Sequence, residues 1–302
     1  MKRPYFYRQP KTKKGSVLVI CLWAIMILSI LGLGLTGLVF QEIKFASTYQ
    51  RIILSLPVAR AALKTVFLQR QNDLTPGYDT FAELTQPGKV FLCGGNSYKY
   101  YFADISASCP EEVVDEGALL NLNLASVEML EKLPGMNDDL AKSIVDSGLR
   151  PFKSINEVLL VKGMSPENFE LFKDMVTVYG NGKVNLNTAN KPVLLALGMD
   201  EELADAILRL RKEHKIEPPK DSAVTEPEYG ISNLSTLAAD LSELVYLGLR
   251  QEQSLIGLST WLDVKSEYLR FNVIPKFGGP NGVHYSITIH PSTNKIIAWK
   301  EY

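Results

Sequence analysis

The sequence of 302 residues lacks the motifs by which most enzymes are recognised. It contains no G-x-S-x-G, P-loop, H-E-x-x-H or paired C-x-x-C pattern. The three histidines, His214, His284 and His290, have no Cys, Asp or Glu at the spacing of metal ligands. We therefore expect no catalytic residues and no cofactor, and a role that depends on binding.

Cysteine is also scarce, and the three present, Cys21, Cys93 and Cys109, are too few for a disulfide scaffold. Cys21 lies inside an apolar run. Cys93 and Cys109 are sixteen residues apart and close enough to bridge if their segment folds back on itself and lies in an oxidising compartment. A Cys93–Cys109 disulfide and two unpaired thiols both remain open.

Positive charge is missing from most of the chain. Residues 1–15 carry six Lys or Arg and no acid, whereas the other 287 residues hold 26 basic and 33 acidic side chains. An acidic body repels the phosphate backbone of nucleic acids. We therefore expect no nucleic-acid partner.

What the chain does contain is a run of twenty-five residues without a charge, from Ser16 to Phe40. A helix over this run is roughly 37 Å long, which exceeds the hydrocarbon core of a bilayer at about 30 Å. A cleavable secretory signal has a shorter apolar region of about 7–15 residues and an A-x-A-like site, which this run lacks. Because the cations precede the run, we expect a single-pass inner-membrane protein with a cytoplasmic N-terminus and a periplasmic body.

The sequence Lys13-Lys14-Gly15-Ser16 directly before the apolar run resembles the leader of type IV pilins and pseudopilins. The resemblance implies that a prepilin peptidase cleaves between Gly15 and Ser16 and that the new Ser16 amine is methylated. It divides this region into a leader at 1–15, a transmembrane helix at 16–40 and a periplasmic half of a spine helix at 41–70. An ordinary uncleaved signal anchor explains the apolar run equally well.

The fifth residue after the implied cleavage is Ile20, where most pilin-like subunits have Glu. That carboxylate is expected to offset the buried amine of the subunit ahead, because an unpaired charge in an apolar environment is costly. A subunit with nothing ahead of it does not need the carboxylate. The absent Glu is typical of the K-type minor pseudopilins of type II secretion.

Beyond the apolar run, residues recurring at steps of three and four predict an amphipathic continuation of the helix that packs on a sheet. Pro57 falls inside it and is expected to kink it. The stripe consists of Ile52, Leu56, Ala59, Leu63, Val66 and Phe67.

Alternating patterns predict strands on both sides of the middle of the chain. One covers 98–105. Three more, at 268–274, 283–289 and 294–299, are separated by short turn sequences and should form an antiparallel meander that the first strand completes.

The region between these strands contains an internal repeat. Asn121-Leu-Asn-Leu-Ala-Ser126 recurs sixty-four residues later as Asn185-Leu-Asn-Thr-Ala-Asn190. Ser126 and Asn190 suit helix N-caps, each opening a short helix that a Gly ends and a second helix follows. Residues 152–163 supply a further helix-plus-Gly element. The pattern predicts helix-hairpin-helix units.

Such units often bind DNA through backbone N–H groups at a helix N-terminus. Here the place of the second hairpin Gly is taken by Asn137 or Asp200, followed by Asp138-Asp139 or Glu201-Glu202. Carboxylates suit the helix dipole but repel phosphates. We interpret the units as a protein-contact or structural module.

The order Asp115-Glu-Gly117, then Asn-x-Asn-x-Ala, an apolar helix and Gly-Met resembles the helical domain of K-type minor pseudopilins, also called general secretion pathway protein K. The resemblance implies an α+β fold: a spine helix, a pilin-like antiparallel body at 71–120 and 258–302, and a helical insertion at 121–257. It implies a tip subunit that starts or caps the pseudopilus for protein export across the outer membrane. The implied partners are the I- and J-type minor pseudopilins, the major pseudopilin, the prepilin peptidase and the inner-membrane platform.

Members of that family carry calcium in the helical domain, which the resemblance extends to this chain without naming ligands. Asp221, Glu226 and Glu228 form an acidic loop with hard oxygen ligands, and a solvated acidic loop is the other interpretation. Two other functions stay open. One is a membrane-anchored, competence-like receptor for DNA uptake, and the other is a signal-anchored periplasmic adaptor.

Overall fold

The computed structural model describes residues 14–71, 73, 75–84, 89–94, 99–105, 113–216, 228–244, 248–276 and 283–301. In these ranges the α-helices are α1 (Lys14–Gln71), α2 (Phe81–Leu84), α3 (Val127–Glu131), α4 (Asp138–Val145), α5 (Pro166–Phe172), α6 (Lys191–Leu197), α7 (Glu201–Glu213), α8 (Leu237–Leu244) and α9 (Leu249–Leu258). The strands are β1 (Lys89–Gly94), β2 (Lys99–Ile105), β3 (Val113–Asp115), β4 (Leu120–Asn121), β5 (Val176–Thr177), β6 (Val184–Asn185), β7 (Lys215–Ile216), β8 (Glu228–Tyr229), β9 (Leu262–Asp263), β10 (Leu269–Lys276), β11 (Tyr285–His290) and β12 (Lys295–Glu301).

Residue contacts divide the chain into two compact units, Met1–Leu54 and Ser55–Tyr302. The described part of the first unit is helix. Its large apolar side chains lie on all sides and most are more than half exposed, as at Trp23 and Phe45. A helix that is apolar all round requires an apolar environment. By length and composition it can cross a membrane.

The second unit contains an antiparallel sheet whose described strands run in the order β1-β2-β10-β11-β12, with β3 also paired to β10. The end of α1 packs on one face of this sheet. The shared core consists of Val58, Ala59, Ala62, Leu63, Val66, Leu84, Leu269, Phe271, Val273, Tyr285, Ile287 and Ile289. Alternate residues of β10 and β11 supply this core because side chains of a strand point to opposite faces in turn.

The predicted meander of three strands near the C-terminus is confirmed as β10, β11 and β12, and the predicted strand at 98–105 is confirmed as β2, which pairs with β10. The first strand, β1, was not foreseen. Its partner is β2, and Cys93 lies in it opposite Tyr100. The predicted turn between β10 and β11, at 278–282, lies outside the described residues.

The predicted stripe on the spine is confirmed from Ala59 onwards and wrong before it. Ala59, Leu63 and Val66 are buried, whereas Leu56 is 36% exposed and Ile52 is 50% exposed. The core with the sheet begins at Val58. Periodicity alone does not show where along a helix its packing partner starts.

The helical part between β3 and β10 forms one hydrophobic core from two repeats. We define repeat 1 as residues 120–177 and repeat 2 as residues 184–263. In each, a short strand at the start pairs in parallel with a short strand at the end, β4 with β5 and β6 with β9. Each repeat therefore closes on itself, while the buried side chains of both join in one core.

Two details of the predicted repeat units differ from the structure. Gly198 ends α6 in a left-handed conformation, as predicted, but α3 ends at Glu131, well before Gly135. Gly135 instead has a φ of +74°, the left-handed conformation that favours glycine, in the segment that follows α3. The predicted helix within 152–163 is a 3₁₀-helix at Ile155–Leu160.

Candidate protein-contact site

Two asparagines organise the start of repeat 1. The Asn121 amide donates to the carbonyl oxygens of Tyr179 and Gly180 at 2.8 and 3.0 Å, and its oxygen accepts from the N–H of Asn123. The Asn123 side chain accepts from the N–H of Phe152 and donates to its carbonyl. Buried backbone groups need partners, and these side chains provide them.

Repeat 2 uses the equivalent asparagines in the same way. The Asn185 oxygen accepts from the N–H of Asn187, and the Asn187 side chain accepts from and donates to the backbone of Ile231 at 2.7 and 2.9 Å. The repeated Asn-x-Asn is therefore a structural device. In both repeats it ties the first strand to a distant backbone segment.

One arginine in each repeat completes the arrangement. Arg150 Nη2 donates to the carbonyl oxygens of Leu122 and Ala125 at 2.6 and 2.7 Å. Arg211 Nη1 donates to those of Leu186 and Ala189, which are the equivalent residues. Burial lowers the pKa of both guanidinium groups. Sequence comparison missed this pair because the two arginines are sixty-one residues apart and the asparagines sixty-four.

The hairpin tips, where DNA-binding units hold phosphate, are occupied by side chains of the chain itself. Asn137 Oδ1 accepts from the N–H of Leu140 at 2.8 Å, and Asp200 Oδ1 accepts from the N–H of Leu203 at 2.8 Å. Acidic residues fill the first turn of both following helices, α4 and α7. These tips offer negative charge and capped N–H groups to the surroundings, which favours a basic protein surface over a phosphate.

Repeat 2 is joined to the large sheet through the buried carboxylate of Asp115 at the end of β3. Asp115 accepts hydrogen bonds from the Ser266 and Thr188 hydroxyls, from the Asn185 amide at 3.2 Å and from the Gly117 N–H at 2.8 Å. Burial nevertheless raises the pKa of Asp115 to about 6. Among the described residues, hydrogen-bond donors alone hold this carboxylate in place, and no cation pairs with it.

A second group of carboxylates lies next to this junction, at the end of α1 and in the loop after it. Arg70 Nη1 contacts Asp79 Oδ1 at 3.1 Å and Glu83 Oε1 at 2.8 Å. Burial raises the pKa of Glu83 to about 8, against the opposing effect of Arg70, and raises that of Asp79. Asp73, Asp79 and Glu83 bring ligand atoms within 4.8 Å of one another. They could hold a hard cation, but Arg70 already forms ion pairs with two of them.

The loop that the sequence suggested for calcium is only partly described. Asp221 and Glu226 lie outside the described residues, whereas Glu228 begins β8 and pairs with Ile216. Glu228 contributes to raising the pKa of Glu83, so it lies near the Arg70 group and not in open solvent alone. The calcium expectation stays a prediction.

The residues predicted for processing lie at the start of α1, which begins at Lys14 and includes Gly15 and Ser16. Ile20 is 63% exposed on the apolar helix. Cys93 lies in β1, and Cys109 lies outside the described residues, so the predicted pairing stays a prediction. His214 Nδ1 lies 3.1 Å from the carbonyl oxygen of Gly230, the ordinary contact of a structural histidine.

Comparison with known sequences supports the helix-hairpin-helix interpretation. Residues 116–177, which include repeat 1, match the family model described as the helix-hairpin-helix motif. A protein of Danio rerio, endonuclease/exonuclease/phosphatase family domain-containing protein 1, is 29% identical over 118 residues. That match covers 32% of this chain and 22% of the length of the relative.

Comparison with solved structures defines the class of fold. A chain in the crystal structure of the GspK-GspI-GspJ complex from the type 2 secretion system of enterotoxigenic Escherichia coli superimposes with a TM-score of 0.57 and 16% sequence identity. The match covers 87% of this chain and 99% of that chain. This protein therefore has a pseudopilin-like fold. A long apolar N-terminal helix and an antiparallel sheet carry an inserted helix-hairpin-helix domain.

Proposed function

We propose that this protein is a K-type minor pseudopilin at the tip of a type II secretion pseudopilus. It starts or caps assembly for protein export across the outer membrane and catalyses no reaction. The observation that carries the proposal is the combination of a pseudopilin-like fold over 87% of the chain with an Ile at position 20. The fold by itself would suit any pseudopilin bearing an insertion, and the missing carboxylate selects the subunit with no neighbour ahead.

The proposed location follows from the N-terminal segment. The apolar helix spans the inner membrane, with the basic leader in the cytoplasm and the body in the periplasm. Prepilin peptidase cleaves after Gly15, and Ser16 becomes the methylated N-terminus. Mass spectrometry of the protein from its native membrane checks this: a methylated Ser16 is expected. An intact Met1 would leave a signal-anchored periplasmic adaptor as the better interpretation.

The proposed partners are the I- and J-type minor pseudopilins, the major pseudopilin and the inner-membrane platform. The superimposed structure is a complex of GspK with GspI and GspJ. Co-purification of tagged protein with the I- and J-type subunits of its own secretion system is the direct test. Gold labelling of assembled filaments should mark one end, and labels along the whole length would contradict the tip role.

Ile20→Glu provides a sharper test of the tip role. A carboxylate at this position should allow a subunit to be accommodated ahead, so labels should move from the filament end into its length. Ile25→Glu places the same charge elsewhere on the exposed apolar helix and is the matched control. If both variants remain at the end, the missing carboxylate does not decide position.

A membrane-anchored receptor for DNA uptake is the second candidate, because residues 116–177 match the helix-hairpin-helix motif. Charge argues against it: residues 121–216 hold twelve basic and fourteen acidic side chains, and both hairpin tips are acidic. A gel-shift experiment with duplex DNA at low salt separates the two functions. A shift that weakens steeply with salt would favour the receptor.

A further inference from the structure

A cleft lies between repeat 1 and the face of the sheet that points away from α1. The sheet side of this cleft is lined by Arg270 on β10, Ser286 and Thr288 on β11, and Lys300 on β12. The register pairs Arg270 with Thr288 and Ser286 with Lys300, so these four side chains leave the same face of the sheet. Ser154 lines the side of repeat 1. We call this cleft the sheet cleft.

The hydroxyl groups on β11 have no partner among the residues that the structure describes. Thr288 is 4% exposed, yet its Oγ1 makes no hydrogen bond to any of them. The same holds for the Oγ of Ser286. Burying a hydroxyl without a hydrogen bond is costly, and nearly all buried polar groups have a partner. The Thr288 hydroxyl therefore indicates a polar group that enters the cleft from outside.

Two cationic side chains flank these hydroxyls. Strands β10 and β12 lie on either side of β11 and are about 10 Å apart, so Arg270 and Lys300 can reach the space above β11 from opposite sides. Lys300 is exposed and forms no ion pair within the described ranges. Glu116 also lines the cleft, so two cations face one carboxylate there. The excess of positive charge favours an anion.

The Glu116 carboxylate leaves most of the donors of Arg270 free. Glu116 is buried, and one of its oxygens accepts from the Thr177 hydroxyl while the other lies 3.0 Å from Arg270 Nε. A guanidinium has five N–H donors. The four on Nη1 and Nη2 make no hydrogen bond to the described residues, and the side chain is 31% exposed. These donors are available to a ligand.

The set of donors and the size of the cleft fit a phosphoryl group. The volume of the cleft is about 40 Å³, room for roughly three water-sized groups, and a phosphoryl group has three terminal oxygens. A carboxylate has only two oxygens and would leave more of the hydroxyl and cationic donors unpaired. A metal cation would be repelled by Arg270 and Lys300.

We propose that the sheet cleft binds a phosphoryl group, either as inorganic phosphate or as the end of a phosphate monoester whose ester oxygen points out of the cleft. Lys300 and the Nη groups of Arg270 supply the opposite charge, and the hydroxyls of Ser286 and Thr288 supply hydrogen bonds. A nucleic acid does not fit, because its phosphodiesters have two terminal oxygens and the acidic body repels a long polyanion. The cleft requires only the sheet and repeat 1, so the proposal is independent of a position in a pseudopilus.

The ligand is tested by calorimetric titration of the full-length protein in detergent micelles and in a buffer without phosphate. Inorganic phosphate and glycerol 3-phosphate should each bind saturably to one site per chain. Acetate and dimethyl phosphate, at the same ionic strength, should bind about tenfold more weakly, because two terminal oxygens satisfy fewer donors. Binding of inorganic phosphate without glycerol 3-phosphate would assign the cleft to the free ion. No saturable binding of either, or acetate binding as tightly as phosphate, would overturn the proposal.

Variants of the protein locate the site. Lys300→Gln should weaken phosphate binding about tenfold, because a charge-assisted hydrogen bond is lost. Lys295→Gln changes the net charge equally on the same strand but outside the cleft, and this matched control should bind like the unmodified protein. Equal effects of the two lysine variants would show that phosphate responds only to the overall charge, against the proposal.

Thr288→Val separates binding from stability. The change keeps the shape of the side chain and removes the hydroxyl, so it should weaken phosphate binding about fivefold. Because that hydroxyl makes no hydrogen bond to the described residues, the thermal midpoint without phosphate should stay the same or rise. An unchanged affinity for phosphate in Thr288→Val would contradict a ligand in the sheet cleft.

Discussion

The two helix-hairpin-helix repeats share their interior and differ in what their first asparagine holds. In repeat 1 the Asn121 amide reaches two backbone carbonyls in the turn at 179–180. In repeat 2 the Asn185 amide reaches the Asp79 carbonyl, the Asp115 carboxylate and the Ser266 hydroxyl. Asn121 therefore closes repeat 1 locally, whereas the equivalent Asn185 connects repeat 2 to the pilin-like body.

This difference shows how a duplicated module can acquire a second task without new residue types at its key positions. Asn121 and Asn185 are both buried, and both also accept from the N–H two residues later. What changed is the surroundings of the amide, where Asp79, Asp115 and Ser266 meet. Repeat 2 is therefore expected to be more sensitive to damage at this position, and to pH.

The largest expected effect is that of Asn185→Ala. The change removes the donor to three buried acceptors and the acceptor for the Asn187 N–H, and it should lower the free energy of unfolding by about 3 kcal/mol. Asn121→Ala leaves only neutral groups unsatisfied and should cost about 2 kcal/mol. Urea unfolding in micelles, followed by tryptophan fluorescence, measures both.

The control for this pair is Asn156→Ala, at an exposed position on the 3₁₀-helix Ile155–Leu160. It should change the free energy of unfolding little. If Asn121→Ala were as damaging as Asn185→Ala, the contact of Asn185 with the Asp115 carboxylate would add nothing to stability. The difference between the repeats would then be only geometric.

The carboxylates beside repeat 2 should make stability depend on pH. Burial raises the pKa of Glu83 from its usual value of 4.5 to about 8 and that of Asp115 from 3.8 to about 6. The folded protein then holds more protons than the unfolded chain between about pH 4 and pH 8, so stability should fall as the pH rises through this range. The thermal midpoint should be higher at pH 5.5 than at pH 8.5.

Glu83→Gln keeps an acceptor for Arg70 and removes the titration, so the decline above pH 6 should become shallower. Glu170→Gln, at an exposed carboxylate paired with Lys173, is the matched control and should retain the full decline. A decline of the same slope in Glu83→Gln would assign the pH dependence to other groups.

The sequence predicted what depends on local pattern. The meander, the caps at Ser126 and Asn190 and the duplicated Asn-x-Asn follow from alternation, capping chemistry and repetition. It did not predict β1, because the local pattern does not reveal that this segment pairs with β2. It also did not predict the junction at Asp115. The groups that meet there come from distant parts of the chain: Asn185 is 70 residues from Asp115, and Ser266 is 187 residues from Asp79. No spacing rule connects them.

The arginines are expected to matter equally in the two repeats, in contrast to the asparagines. Arg150→Lys and Arg211→Lys replace a fork that serves two carbonyls by a single ammonium, and each should cost about 1.5 kcal/mol. Because both arginines bind equivalent carbonyls, the two costs should agree within about 0.5 kcal/mol. Arg250→Lys, at an exposed position in α9, is the control and should have no measurable effect. A large difference between Arg150 and Arg211 would show that the interiors of the repeats are not equivalent.

The smallest effects are expected at the hairpin tips, where each repeat caps its second helix. Asn137→Ala and Asp200→Ala should each cost about 1 kcal/mol of stability, because each removes one cap to a backbone N–H.

The same variants test why the hairpin tips do not bind phosphate: because their N–H groups are capped, or because their carboxylates repel it. Removing the cap of α4 frees an N–H group but leaves Asp138 and Asp139 beside it. Asn137→Ala should therefore remain unable to shift duplex DNA at low salt. Only replacement of Asp138 and Asp139 by Asn as well should bring out weak binding, since carboxylates repel phosphate over about 10 Å at 0.1 M salt whether or not a donor is free.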